Sequence, residues 1–345
     1  MATHLIDQAP AGLRDLQAEL PAGPLPAPSG RRPGLRRLAA SRSAVVAAAV
    51  LALLVLSALA APLWAKHVAH TTAYTNHITD RVEVGGEPRD VVSPDGVPIG
   101  PTWRGEFFLG ADVNGRDIMV RLLYGGRNSL LIGVAAALLT ALLAVAAALV
   151  GGYFRGLVDG VLARLLDVIW AYPVILLAVA LGTAFAVGGV RLGPVAIAGD
   201  SKAIPVLVIA VVYVPYMARP LRGAVLALRE REFVEAARAQ GAGPVRIMWS
   251  EILPNLLPGI VVLLPLMVAN AILLEAALSF LGAGVRPPEP SWGTMIDDGV
   301  ARIVSAEHLA VAPGLMLLLT VTSLNVLGDR VSDALDPRSR VRIER

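Results

Sequence analysis

The amino-acid sequence predicts an all-α integral membrane protein with six transmembrane helices, and three observations carry that prediction. Hydrophobic residues make up 55% of the 345 positions and charged residues 17%, with a mean hydropathy of +0.65, whereas a soluble domain carries about 25% charged side chains. Apolar runs of spanning length stand between polar segments, as a hydrocarbon layer of about 30 Å requires at about 1.5 Å rise per residue. Arginines also alternate in density from one loop to the next. No water is available inside a bilayer to satisfy the backbone, so the apolar runs must be helical.

Residues 1–43 read as a flexible cytoplasmic tail, because LPAGPLPAPSG at 20–30 cannot fold as a helix. Arg31, Arg32, Arg36, Arg37 and Arg42 then precede the first apolar run, 44–64. A signal peptide has the same order of charge and apolar core. This run is of full spanning length, begins late and ends in Pro62, Leu63 and Trp64, a tryptophan suited to an interfacial anchor. Residues 65–129 are polar and read as a largely periplasmic segment. Within 65–127, six arginines and one lysine face eight acidic residues, so the cationic surplus of a cytoplasmic loop is missing. Its period-two fragments around Val82 are too short to specify a domain.

Residues 130–328 read as a five-helix core, followed by a cytoplasmic tail at 329–345. Spans are expected at 130–154 and 167–187, joined by a turn carrying Arg155, Asp159 and Arg164. The run at 204–217 holds Pro205 and Pro215 and is short for a bilayer, which predicts a span that is broken, tilted or buried in protein. Longer runs follow at 256–281, with Pro258 and Pro265, and at 309–327. Gly133 and Ala135, Ala136 and Ala137 suit close helix packing. Six arginines lie in the loop 219–251, whereas only Arg191 and Lys202 stand in one alternate loop and Arg286 and Arg302 in another. The positive-inside bias therefore places both termini in the cytoplasm.

Several chemistries are excluded or weakly supported. With no cysteine there is no disulfide or thiolate site. Neither lysine, Lys66 nor Lys202, completes a phosphate-binding GK[ST] motif, so the chain supplies no ATPase site of that kind. The net charge of +3 is spread over loops without an aromatic and basic platform, which argues against nucleic acid. His67, His70 and His77 could form a weak metal patch, but solvated loop histidines explain them better without HExxH or cysteine. Asp297 and Asp298 are adjacent, which does not aim two carboxyls at one substrate. No catalytic, metal-binding or cofactor-binding residue is expected.

The informative stretch is EFVEAARAQGAGPVRIMWSEILPN, 232–255. A helix there puts Phe233, Ala236 and Ala237 along one face and lets Arg231 pair with Glu235. Gly241 and Gly243 allow a sharp exit and Pro244 can open a second helix, giving a helix-turn-helix knob. A docking element and an amphipathic helix lying on the membrane interface both fit this pattern. Glu275, between apolar residues, must face the bundle interior, a lumen or a partner, as a structural hydrogen-bonding group or a proton carrier. Pro287, Pro288 and Pro290 stiffen the segment beyond it, and Trp292 suits an outer interface.

Four motifs in order then resemble the C-type permease subunit of the dipeptide and oligopeptide ABC importers. They are GADVNGRDIMVRLLYGGRNSLLIG at 110–133, EAARAQG at 235–241 with ILPN at 252–255, EAALSFLGAGVRPPEPSWGTM at 275–295, and LNVLGDRVSDALDPR at 324–338. The sequence departs from the family pattern at Val113 and Asn114 and at Asn325 and Val326.

The resemblance implies a type I importer core of five helices preceded by an additional N-terminal one, in the bacterial inner membrane. It implies pairing with a homologous permease, two ATP-binding subunits that hold ATP and magnesium, and an extracytoplasmic solute-binding protein. It assigns Glu235, Ala236, Ala237 and Gly241 to the ATPase-coupling contact, and it leaves Glu275 as a bundle or pore-structural candidate. Peptides are the implied substrates, with nickel chelates or other small solutes as alternatives. An ion-gradient-driven secondary transporter is the rival class, and Glu275 is its best residue, although the chain lacks an evident inverted repeat.

Overall fold

The computed structural model describes residues 41–335. The expected flexible tail before residue 41 and the arginines beyond residue 335 lie outside the described residues. The chain forms α1 (Arg42–Leu59), α2 (Ala61–His67), the hairpin β1 (Arg81–Val84) and β2 (Glu87–Asp90), α3 (Ile118–Phe154), α4 (Gly156–Trp170) and α5 (Val174–Gly188). A second small hairpin, β3 (Val190–Leu192) and β4 (Val195–Ile197), leads to α6 (Ala203–Arg229), α7 (Glu232–Ala239) and α8 (Pro244–Ile247). A π-helical turn at Met248–Ile252 joins α8 to α9 (Leu253–Phe280), followed by α10 (Trp292–Val300) and α11 (His308–Leu335).

Five helical runs are long and apolar enough to cross a membrane, and the bent pair of α4 and α5 makes a sixth crossing if taken as one span. Arg330 Nε, near the end of α11, donates to Ser43 Oγ at the start of α1 over 3.0 Å. The chain therefore enters and leaves the bundle at one end, as an even number of crossings demands. That end also carries the arginines of α4, α6 and α7.

Helix α3 is the hub, packed along α6 and α9, while α11 lies against α9, α10 and α1. Small residues make this contact close. A Cβ on Gly133 would collide with the Ile272 side chain of α9, and Ala136 and Ala137 are fully buried. Without a hydrophobic force between helices in lipid, such close van der Waals packing holds them together.

The elements differ from expectation in ways with physical causes. The third span is two helices meeting at 93°, not one straight helix over 167–187. Pro173 caps α5, lacks an N–H and disfavours helical geometry at Tyr172, so the helix cannot run through. Helix α6 has 27 residues, well beyond 204–217, and it is deeply buried. Its cytoplasm-like charges hid that length, yet they are neutralised: Arg219 donates to Asp167 over 2.7 Å and Arg222 grips Asp159 with two hydrogen bonds.

Helix α3 likewise starts at Ile118, well before 130. Asp117 caps it, accepting from Val120 N at 2.9 Å and Phe107 N at 2.8 Å. Trp292 is not at an interface. It is 2% exposed and donates its indole N–H to the Leu122 carbonyl, because α10 folds back onto α3 and α9.

Candidate coupling elbow and buried carboxylate

Residues 230–255 form an elbow at the arginine-rich end of the bundle. The first arm is α7, capped at its C-terminus by a paired hydrogen-bond motif. Ala242 N donates to the Ala237 carbonyl over 3.0 Å and Gly241 N to the Arg238 carbonyl over 2.9 Å. This closure needs a left-handed residue just past the cap, and Gly241 has φ +79°. Gly243, by contrast, is extended, and Pro244 occupies the first turn of α8, where its missing N–H costs nothing.

The inner side of α7 is fixed to the bundle. Val234 is completely buried in the main core with Val225, Ile247 and Leu149. The Arg238 guanidinium lies 5.6 Å from the centre of the Tyr153 ring. The adjoining Arg229 donates to the Tyr153 carbonyl over 2.7 Å, and Arg155 pairs with Glu230 over 2.7 Å.

The opposite side is open: Phe233, Glu235, Ala236 and Gly241 are exposed, and Ala237 is half-buried against the core. No ion pair between Arg231 and Glu235 forms among the described residues. Glu235 therefore presents its carboxylate, beside a small alanine, to whatever approaches.

The second arm is continuous with a membrane span, since helical structure runs through Pro244–Phe280 for 37 residues. At about 1.5 Å per residue this rod is about 55 Å long. Glu275 stands near its far end.

Glu275 is fully enclosed. Ser279 Oγ donates to Glu275 Oε1 over 2.7 Å and itself accepts from Val285 N at 3.0 Å. The Ser129 and Ser291 hydroxyls lie near the same carboxyl, whose Oε2 accepts no hydrogen bond among the described residues. Ser291 in turn caps α10 with Thr294, and Trp292 N donates to Ser129 Oγ over 3.2 Å. Glu275 is thus hydrogen-bonded within α9, beside a separate link between α3 and the start of α10. No Lys, Arg or second acidic group forms an ion pair or hydrogen bond with it among the described residues.

A second tie, which was missed in the sequence, secures the same region. Asp112 accepts from Arg116 Nε over 2.6 Å and lies 3.5 Å from Arg121 Nε, while Asp298 of α10 lies 3.5 Å from Arg116 and 3.8 Å from Arg121. Arg121 also donates to the Ala73 carbonyl over 3.1 Å. Asp297 and Asp298 therefore do not form a joint acidic pair. The interval from Asp112 to Arg116 was the readable signal, because arginines beside a span need partners.

Among the described residues, no three histidine or acidic side chains are grouped to hold a metal ion. His77 is occupied by Thr71 at 2.8 Å and Asp80 at 2.7 Å.

A family model described as "Binding-protein-dependent transport system inner membrane component" matches residues 129–341. The chain belongs to this family. A second model, the "N-terminal TM domain of oligopeptide transport permease C", matches residues 33–79 of this permease. The permease is 35% identical to the glutathione transport system permease protein GsiD of Pectobacterium atrosepticum, over 81% of this chain and 83% of that protein. It is 39% identical to the dipeptide transport system permease protein DppC of Alkalihalophilus pseudofirmus, over 68% of this chain and 73% of that protein.

Its fold is that of the inward-facing MetNI methionine ABC transporter, with a TM-score of 0.51 at 19% identity, covering 64% of this chain and 98% of the solved one. The permease is therefore a multi-pass inner-membrane subunit of an ABC importer, built on the type I core.

Proposed function

We propose that this permease couples closure of two ATP-binding partner subunits to alternating access for small peptide-like solutes, and that the elbow at Glu235, Ala236, Ala237 and Gly241 is the contact. The observation that carries this is mechanical. The elbow is fixed to the bundle on one side, bare on the other, and its exit helix is the same rod that spans the membrane. A push on the bare side displaces a whole helix, whereas an amphipathic helix resting on lipid would need no such connection.

Both ends of the chain then lie with the elbow in the cytoplasm, in line with the arginine bias. Residues 65–117 lie on the opposite, periplasmic side. A homologous permease completes the pathway, a solute-binding protein delivers substrate from outside, and ATP with magnesium stays on the partners. The relatives named for glutathione and dipeptides support the substrate class.

Glu275 serves in this reading as a structural group enclosed where α9, α3 and α10 meet. Its complete enclosure, without a second acidic group, favours that role over a proton carrier in a gradient-driven transporter.

The chain lacks cysteine, which makes the test clean. Ala236→Cys, in the assembled importer, is expected to react with a membrane-impermeant thiol reagent only from the cytoplasmic side. It should also crosslink to a cysteine placed in the ATPase cleft in a nucleotide-dependent way, while exposed Ala198→Cys, the control, reacts only from the periplasmic side and forms no such crosslink. Labelling of Ala236→Cys from the periplasm, or no crosslink in any nucleotide state, overturns the assignment.

A further inference from the structure

We infer that the permease holds one phospholipid in a groove between its first helix and its core, with the tail between the helices and the phosphate at Arg127. The groove is a cavity of about 780 Å³ bounded by α1, α3, α9 and α11. Its walls are apolar, from Val55 of α1, Leu131, Val134 and Leu138 of α3, Val268 of α9 and Leu324 of α11. Arg127, Leu131, Val134 and Leu138 form one stripe on α3 at helical spacing. From Arg127 to Leu138 the stripe descends about 16 Å, or about half of a hydrocarbon layer of about 30 Å. That depth matches an acyl chain of one leaflet.

The mouth is polar and built. Lys202 Nζ reaches Glu289 Oε2 and Asn128 Oδ1, each at 3.0 Å, and Asn128 donates to the Pro290 carbonyl over 2.6 Å. Tyr74 and Tyr124 flank these groups. Lys202 is thus neutralised by Glu289. Arg127 lies 5.7 Å from the centre of the Tyr124 ring and has no carboxylate partner among the described residues.

One uncompensated guanidinium beside tyrosine and asparagine groups, above an apolar slot, is complementary to a phosphate ester on an acyl chain. A free peptide would leave its polar backbone unsatisfied along the walls. Under the orientation proposed above, the lipid belongs to the outer leaflet.

The test uses the assembled importer with a photo-crosslinking residue at Val134, reconstituted in phosphatidylethanolamine and phosphatidylglycerol and then washed exhaustively in mild detergent. A phospholipid adduct at position 134 is expected to survive the wash, while the same residue at Leu142, on open surface, loses its adduct. Arg127→Glu should lower phosphatidylglycerol retention relative to phosphatidylethanolamine about fivefold. Val134→Trp, or Leu138→Trp if the first fails to insert, should abolish retention by filling the slot. An adduct to the partner permease or to a transported peptide overturns the proposal, as does equal washing-out at 134 and 142.

Discussion

Substitution at Gly241 tests the elbow most directly, because the structure separates backbone strain from collision there. The residue has φ +79°, and a Cβ added to it would meet nothing within 4 Å. Only the left-handed backbone therefore resists a side chain, at about 1–2 kcal/mol for an ordinary L-residue and less for asparagine. That penalty changes the population of the closed cap about fivefold to thirtyfold.

The elbow lies outside the buried crossings, so Gly241→Ala should insert and assemble normally. Its binding-protein-stimulated ATPase activity and uptake in proteoliposomes should fall together. Gly241→Asn should recover most of both, and Gly241→Val should be worst, since a β-branched residue is least tolerated at positive φ. The order Gly, Asn, Ala, Val in coupling at constant assembly is the expected result. Equal coupling for all four would mean that the cap geometry plays no part, and loss of assembly in Gly241→Ala would place the residue in folding instead.

Other perturbations follow from the same contacts. Glu275→Gln keeps an acceptor for Ser279 and should leave thermal stability and uptake near wild type, whereas Glu275→Ala should cost about 1–3 kcal/mol and lower the unfolding midpoint. A large uptake loss in Glu275→Gln, at unchanged stability, would instead favour proton transfer. Arg121→Ala strips one of two buried partners from Asp112, which keeps Arg116, and should cost about 1–3 kcal/mol, visible as reduced yield of folded complex.

Gly133→Leu forces α3 off Ile272 and should cost about 1–3 kcal/mol, with Ile272→Ala in the same chain restoring part of the loss in a thermal melt. Burial alone would push the Glu289 carboxyl up, but the hydrogen bond and charge of Lys202, with Asn128 and Tyr74, more than reverse this and hold it below the usual carboxylate range. Its contribution to stability is then full above the ordinary glutamate range and fades as acid passes below it. Because both groups are over a third exposed the effect is small, and Lys202→Met should remove that acid limb from a melting curve scanned from neutral to low pH.

Legibility followed the reach of each interaction along the chain. The crossings were readable because hydropathy and arginine bias are local sums, and the elbow turn was readable because Gly241 and Pro244 each answer a backbone requirement within a few residues. Boundaries failed where charges inside helices are cancelled by distant partners: Arg219 and Arg222 by Asp167 and Asp159, Arg121 by Asp112 and Asp298. Hydropathy counts such arginines as exits from the membrane. Trp292 misled for the same reason, since its burial depends on Leu122, which is 170 positions away.

The elbow site feeds directly into the rod that carries Glu275, which governs how movement can be transmitted. A helix of about 55 Å conducts displacement only if it is held at both ends and free to rotate between them. At the elbow end the adjoining α7 is held through Val234 and Arg238, and at the other end Ile272 packs closely on Gly133 of α3 and Ala276 on Gly293 of α10. Between them the rod contains Pro258, Pro265 and the π-turn at Met248–Ile252, each of which removes or shifts backbone hydrogen bonds. Backbone hydrogen bonding is thereby weakest from the elbow end to the middle of the rod, which is where bending is expected. Under the proposed coupling role, a displacement applied at Glu235 is expected to change the angle between two packed halves, which has discrete solutions set by how side chains interlock, rather than to dissipate along a uniformly flexible helix.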